Sequence, residues 1–159
     1  MLPGILGMAL TLCGLLLPIS FEQRLLFFLG ALGPTVTAYL ESHRLFLALQ
    51  AIVLSGTVVA FVTLSPFIKA SIPFLVAVPV LFLLKKHEEF STRNDTFGAL
   101  SLLLLSAGYA TQGMLFLFLG GFAVSIYSVI EWMKGFAPAL IWFALNLIFT
   151  ILAGVNLLK

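Results

Sequence analysis

Charge is what this chain has least of. Only 9% of its 159 residues are Asp, Glu, Lys or Arg, against 62% hydrophobic, and its mean hydropathy is +1.20. Soluble domains run near a quarter charged and half apolar, so a soluble fold is excluded and an integral membrane protein is implied. The net charge of +2 is too small and too dispersed for a nucleic-acid surface or an anionic-lipid patch. Cysteine is nearly absent as well. Cys13 alone can form neither an internal disulfide nor a CxxC metal or redox site. The two histidines, His43 and His87, have no second ligand at helical spacing, which argues against a metal or haem. No lysine lies in mid-span to carry retinal, and no serine has an activating His or Lys beside it on a helix. The expectation is therefore no enzyme, no cofactor and no metal.

What the chain does have is apolar length. Seven stretches, about 2–20, 25–40, 45–66, 70–84, 96–110, 113–130 and 135–157, are separated by short charged islands. A membrane-spanning helix needs about 20 residues, with a lower limit near 17, so the shorter stretches must borrow flanking residues. The prediction is an all-α integral membrane protein of seven transmembrane helices. Asn94, Asp95 and Thr96 offer an N-cap for the fifth. The first stretch has no Lys or Arg before it and no small-residue cleavage pattern at its end, and reads as a retained helix. Lys and Arg number five on the side of the N-terminus (Arg44, Lys85, Lys86, Arg93, Lys134) and three opposite (Arg24, Lys69, Lys159), which favours a cytoplasmic N-terminus in an inner membrane of bacterial type.

The chain also repeats. Residues 9–46 slid onto 99–136 give ten identities in 38 positions, including Phe28-Leu29-Gly30 on Phe118-Leu119-Gly120 and Glu41 on Glu131, and the slide places Arg44 on Lys134. Repetition is the first thing to seek because it sets the fold. An offset of 90 spans four crossings, an even number, so both copies face the same way. The expected organisation is a three-helix repeat over 1–66, a linker helix with a charged loop over 67–94, and a second three-helix repeat over 95–159. The linker's function is parity, since without it the second triplet would insert upside down.

Asn146, Trp142, Gln50 and Tyr127 are the polar or amphipathic residues of the spans best placed to hold a solute. Asn146 and Trp142 are four apart and share a helix face. Amides are costly to leave unpaired in lipid, so Asn146 and Gln50 either line an interior pocket or bond one helix to another. Gly33 and Pro34 in the second span mark a hinge or a close helix contact. Glu41 with Arg44, and Glu131 with Lys134, are i,i+3 pairs at one membrane face and serve as a gate or as interfacial anchors. No acidic residue lies in mid-membrane, so proton or sodium coupling through a buried carboxylate has no candidate, and facilitated diffusion fits better than pumping.

In layout, three helices, a linker and three helices in a very short chain, the protein resembles the SWEET and SemiSWEET superfamily together with the PnuC-type vitamin transporters. Asn146 and Trp142 are similar in type to the Asn and Trp that line that family's pocket. The Pro-Gln pair that marks many members is replaced by Pro18-Ile19 and Gly108-Tyr109, and the first-repeat counterparts of Asn146 and Trp142 are Gly56 and Ile52. The resemblance implies a facilitator that moves a small neutral or zwitterionic solute by alternating access between two triple-helix bundles, with the lipid bilayer and the solute as partners and a homo-oligomer or membrane partner as a further option. The alternative is a non-transporting accessory or assembly subunit of a membrane complex. The two differ in their interior: a facilitator needs a wet cavity holding Asn146 and Trp142, whereas a subunit needs a dry core and a small-residue docking face around Gly30, Gly33 and Gly120.

Overall fold

The computed structural model describes residues 1–42, 44–87, 90, 92–135 and 138–158. All seven apolar stretches become helices: α1 (Leu2–Leu15), α2 (Phe21–Leu40), α3 (Arg44–Val59), α4 (Pro66–Lys86), α5 (Arg93–Thr111), α6 (Met114–Met133) and α7 (Pro138–Leu157). Three of them, α4, α6 and α7, are long and apolar enough to cross a membrane by length and composition. With 14 and 16 residues, α1 and α3 fall below the spanning length.

Helix ends follow capping chemistry rather than hydropathy, and this corrects several sequence-based boundaries. The first stretch stops at Leu15 because Pro18 disfavours helix in the residue before it, while Ser20 caps α2, its hydroxyl accepting from the Gln23 amide at 3.2 Å. Glu22, Gln23 and Arg24 thus belong to the first turn of α2, where an acidic residue favours the helix dipole. The third stretch ends at Val59 rather than 66. There the amides of Phe61 and Val62 turn back to Val58 and Val59, and Ser65-Pro66 supplies the cap and first-turn proline of α4.

The cap of α5 is Thr92, not the Asn94–Thr96 run. Thr92 accepts from the Asp95 amide at 3.1 Å and donates its own amide to the Asp95 carboxylate at 2.7 Å, a reciprocal capping box. Replacing Thr92 by alanine is expected to cost about 1 kcal/mol, read as a small drop in melting temperature with the detergent-solubilised protein still monodisperse. At its other end α5 closes on Gln112, left-handed at φ 55.

Around the molecule α1 packs on α2, α2 on α3, α3 on α5, α5 on α6, α6 on α7, and α7 back on α1, so six helices form a closed ring. Exchanging α1, α2 and α3 for α5, α6 and α7 leaves this order of neighbours unchanged. Helix α4 stands outside the ring against α3 and α5. It buries only Pro73, Ala77 and Leu84 and turns Phe67, Leu75 and Phe82 outward.

The two seams that join the triplets each carry a side-chain bond to backbone. At α3–α5 the Ser106 hydroxyl donates to the Ile52 carbonyl at 2.6 Å, beside Gly56, where a Cβ would meet the Ser106 carbonyl oxygen at 2.2 Å. At α7–α1 the Asn156 amide donates to the Leu15 carbonyl at 2.7 Å. Helix α1 has no cap of its own, and Thr37 of α2 accepts from the Gly4 amide at 2.8 Å, satisfying one of the donors that a helix N-terminus leaves over.

Candidate functional site: a cavity inside the ring

The ring encloses a cavity of about 280 Å³ with walls from all six of its helices and none from α4. It has room for a cluster of waters or one small organic molecule. Helix α2 contributes Pro34, Thr37 and Glu41, a stripe at helical spacing. Helix α6 contributes Val124, Tyr127 and Glu131, the residues 90 positions further on in each case.

Gln50, Tyr127, Trp142 and Asn146 all lie on the cavity wall. Trp142 meets Phe46 of α3 edge-on, with centroids 5.4 Å apart, and backs onto Gly4, where a Cβ would come within 2.9 Å of the indole. The Asn146 amide donates to its own helix at the Trp142 carbonyl, 2.8 Å away. Among the described residues neither Asn146 nor Gln50 bonds a neighbouring helix.

Pairing of the polar groups separates wall from packing. Thr35, Ser101, Ser125 and Thr150 donate to carbonyls of their own helices at 2.7–2.8 Å, the usual way to hide a hydroxyl in an apolar helix. Ser128 and Gln50, only 4% and 5% exposed, have no protein hydrogen-bond partner among the described residues, and both face the cavity. Every fully enclosed side-chain nitrogen or oxygen among the described residues has a partner. The unpaired polar groups are therefore those that touch the cavity space, which is where a solute or water satisfies them.

One end of the cavity is charged and open. Glu41, Asp95, Glu131 and Lys134 line it, and Lys134 reaches Glu131 at 2.7 Å as its i,i+3 spacing predicts. The Asn94 side-chain amide also donates to Glu131. Glu41 and Arg44 do not share a helix. Glu41 ends α2, Ser42 adopts a left-handed φ of 54, and Arg44 opens α3, so the two are not spaced i,i+3 along one helix as expected. Glu41 instead takes the terminal ammonium of Met1 at 3.1 Å, and Arg44 lies off the cavity wall. The proposed hinge divides similarly. Pro34 faces the cavity, whereas Gly33 packs on α1, where a Cβ would meet the Pro3 carbonyl oxygen at 2.3 Å.

The other end is sealed. Tyr109 lies between Phe27 and Phe149, with centroids at 5.0 and 6.2 Å, as a floor of three buried rings. One turn beyond it Gln23, fully buried, donates to the Leu17 carbonyl and accepts from the Gln112 amide, each at 3.1 Å, and the Gln112 carbonyl accepts from Arg24 at 3.2 Å. Each triplet thus supplies one amide to this bolt.

Sequence reasoning did not assign Gln23, Gln112, Tyr109 or Asp95 to the site, reading Asp95 only as part of a helix cap. Gln23 and Gln112 sit 89 residues apart, one step off the repeat, and lie at chain turns that read as interfacial. No family model matches the sequence, and neither a curated protein nor a solved structure matches it. The site thus rests on geometry: an all-helical chain, with three helices long and apolar enough to cross a membrane, surrounding a mostly apolar cavity into which a few polar side chains project.

Proposed function

We propose that the protein is a seven-span membrane facilitator that passes a small neutral or zwitterionic solute by alternating access between two parallel triplets, α1–α3 and α5–α7, related by an axis along the membrane normal. Helices α1 and α3 reach across by drawing their flanking apolar loops into the bilayer interface, and α4 is the lipid-facing linker that restores parity. The observation that carries the reading is the cavity itself, open at one end, bolted at the other, and lined by the amide of Gln50 and the hydroxyl of Ser128, which have no protein partner among the described residues. With the N-terminus cytoplasmic, the charged mouth faces the cytoplasm.

The symmetric order of neighbours supports parallel repeats. The carboxylates lie at the mouth rather than in mid-cavity, which supports diffusion over coupled pumping. A non-transporting subunit needs no such cavity, so the same observation favours the facilitator over that alternative.

Uptake into proteoliposomes of solutes no larger than the cavity tests the reading. Asn146→Leu is expected to lower the initial rate by about tenfold, the scale of one lost hydrogen-bonding group in a buried site, with an unchanged melting temperature. Loss of folding along with uptake would assign Asn146 to helix packing. A panel of small polyols, amino acids and betaines that enters no faster than into protein-free liposomes overturns the proposal.

A further inference from the structure

We propose that the solute carries an ammonium group, protonated or quaternary, which the mouth carboxylates admit and the aromatic wall then holds. This rests on the transport reading above and selects the zwitterionic branch of its neutral-or-zwitterionic solute, with choline serving below as a probe of the ammonium head alone.

The first support is how charge is distributed. Among the described residues, three of the four acidic side chains, Glu41, Asp95 and Glu131, line the cavity, but of the seven Lys and Arg side chains only Lys134 does. The three carboxylates are met there by two ammonium groups, Lys134 on Glu131 and the terminal ammonium of Met1 on Glu41, so among the described residues carboxylates still outnumber cations at the mouth of a chain whose net charge is +2. Such a mouth raises the local concentration of cations and repels anions.

The second is what the carboxylates already hold. Glu131 takes the ammonium of Lys134 at 2.7 Å in a partly exposed pair. Pairs of this kind are weak in water and exchange readily for another ammonium. The mouth is therefore chemically matched to the group proposed.

Below the carboxylates the wall turns aromatic, with Tyr127, Phe46 and Trp142. Ring faces attract organic cations, Trp most strongly, and the attraction grows when water is excluded. Gln50 and Ser128, nine-tenths buried and unpartnered among the described residues, remain for the polar remainder of the solute. An inorganic cation would use the carboxylates and leave these rings and amides idle.

Tryptophan fluorescence of the full chain in detergent tests this. Trp132 is exposed at 45%, so Trp132→Phe leaves Trp142 as the sole reporter. Three probes are titrated: choline, glycine betaine, and 3,3-dimethylbutan-1-ol, the uncharged carbon isostere of choline. Choline and betaine are expected to give saturable changes, the isostere to bind at least about tenfold more weakly. Glu131→Gln should weaken choline about fivefold and Lys134→Gln strengthen it by a similar factor. Both variants break the same ion pair, so a structural effect would move both the same way. Equal affinity for the isostere, or a shared direction in the two variants, overturns the ammonium proposal while saturable binding leaves the transport reading standing. No saturable response to any probe from the folded protein overturns the ammonium proposal alone, and the uptake panel above then decides the transport reading.

Discussion

Valine in place of Gly30 is expected to yield no folded protein. A Cβ at Gly30 would sit 2.1 Å from the Thr11 hydroxyl and 2.9 Å from the Gly7 carbonyl oxygen, and a Cβ at Gly7 would sit 2.4 Å from the Gly30 carbonyl. The Thr11 hydroxyl can turn aside, but the Gly7 carbonyl oxygen and the Thr11 amide nitrogen, 2.9 and 3.1 Å from a Cβ at Gly30, are main chain and cannot. Small-to-large changes in packed interiors cost about 1–3 kcal/mol when neighbours yield; here the obstacle includes main chain, and a folded state stabilised by only 5–15 kcal/mol in all tolerates little more. Helix α1, at 14 residues, is also too short to persist without its partner. Size-exclusion chromatography in detergent should show loss of the monodisperse peak. Gly154→Ala is the control, because its Cβ would meet only the ring edge of Phe118 at 3.1 Å, and its melting temperature should move by a few degrees at most. A monodisperse Gly30→Val protein with parental melting would mean that α1 and α2 do not cross this closely.

The same position shows what could be read from the sequence. Gly30 and Gly120 end the Phe-Leu-Gly motif repeated at offset 90, and a Cβ at Gly120 would lie 2.5 Å from the Leu105 amide nitrogen of α5. Each glycine admits the first helix of its own triplet, so the repetition records a packing constraint. The seven helices were legible because apolar runs are long. Their ends were not, since residues 60–64, apolar though they are, lie outside any helix, and turns answer to Pro18, Ser20, Ser65 and Thr92. Burial was least legible in α5. Gly98, Ser101, Ser106 and Gly108 make it look like the weakest span, yet all four are buried, because small residues let neighbouring helices approach. Gln50, Tyr127, Trp142 and Asn146 were found by the cost of polar groups in lipid. Ser128 was one hydroxyl among many until its neighbours were seen to bond their own backbones.

Opening the sealed end should require breaking the Gln23–Gln112 bolt, and Gln112→Gly is expected to do so. Glycine accepts the left-handed φ of 55 at this position without strain, so the substitution removes the amide and leaves the backbone as it is. What remains is Gln23, fully buried and without its Gln112 partner. An orphaned buried polar group costs about 1–3 kcal/mol, and the cost falls only on the sealed conformation, since water reaches Gln23 once that end opens. At 1.4 kcal/mol per factor of ten, the population open at the bolt should rise by about five- to a hundredfold. The readout is a cysteine at Ser128 with Cys13 changed to serine, modified by a membrane-impermeant cationic thiol reagent added to either face of oriented vesicles. With the bolt intact, modification should proceed from the charged mouth and be slow from the opposite face. Gln112→Gly should accelerate it from that opposite face by about fivefold or more while the mouth-side rate stays level or falls. If the far-side rate does not change, the amides hold the helix ends together without gating them, and the solute must leave by a different route.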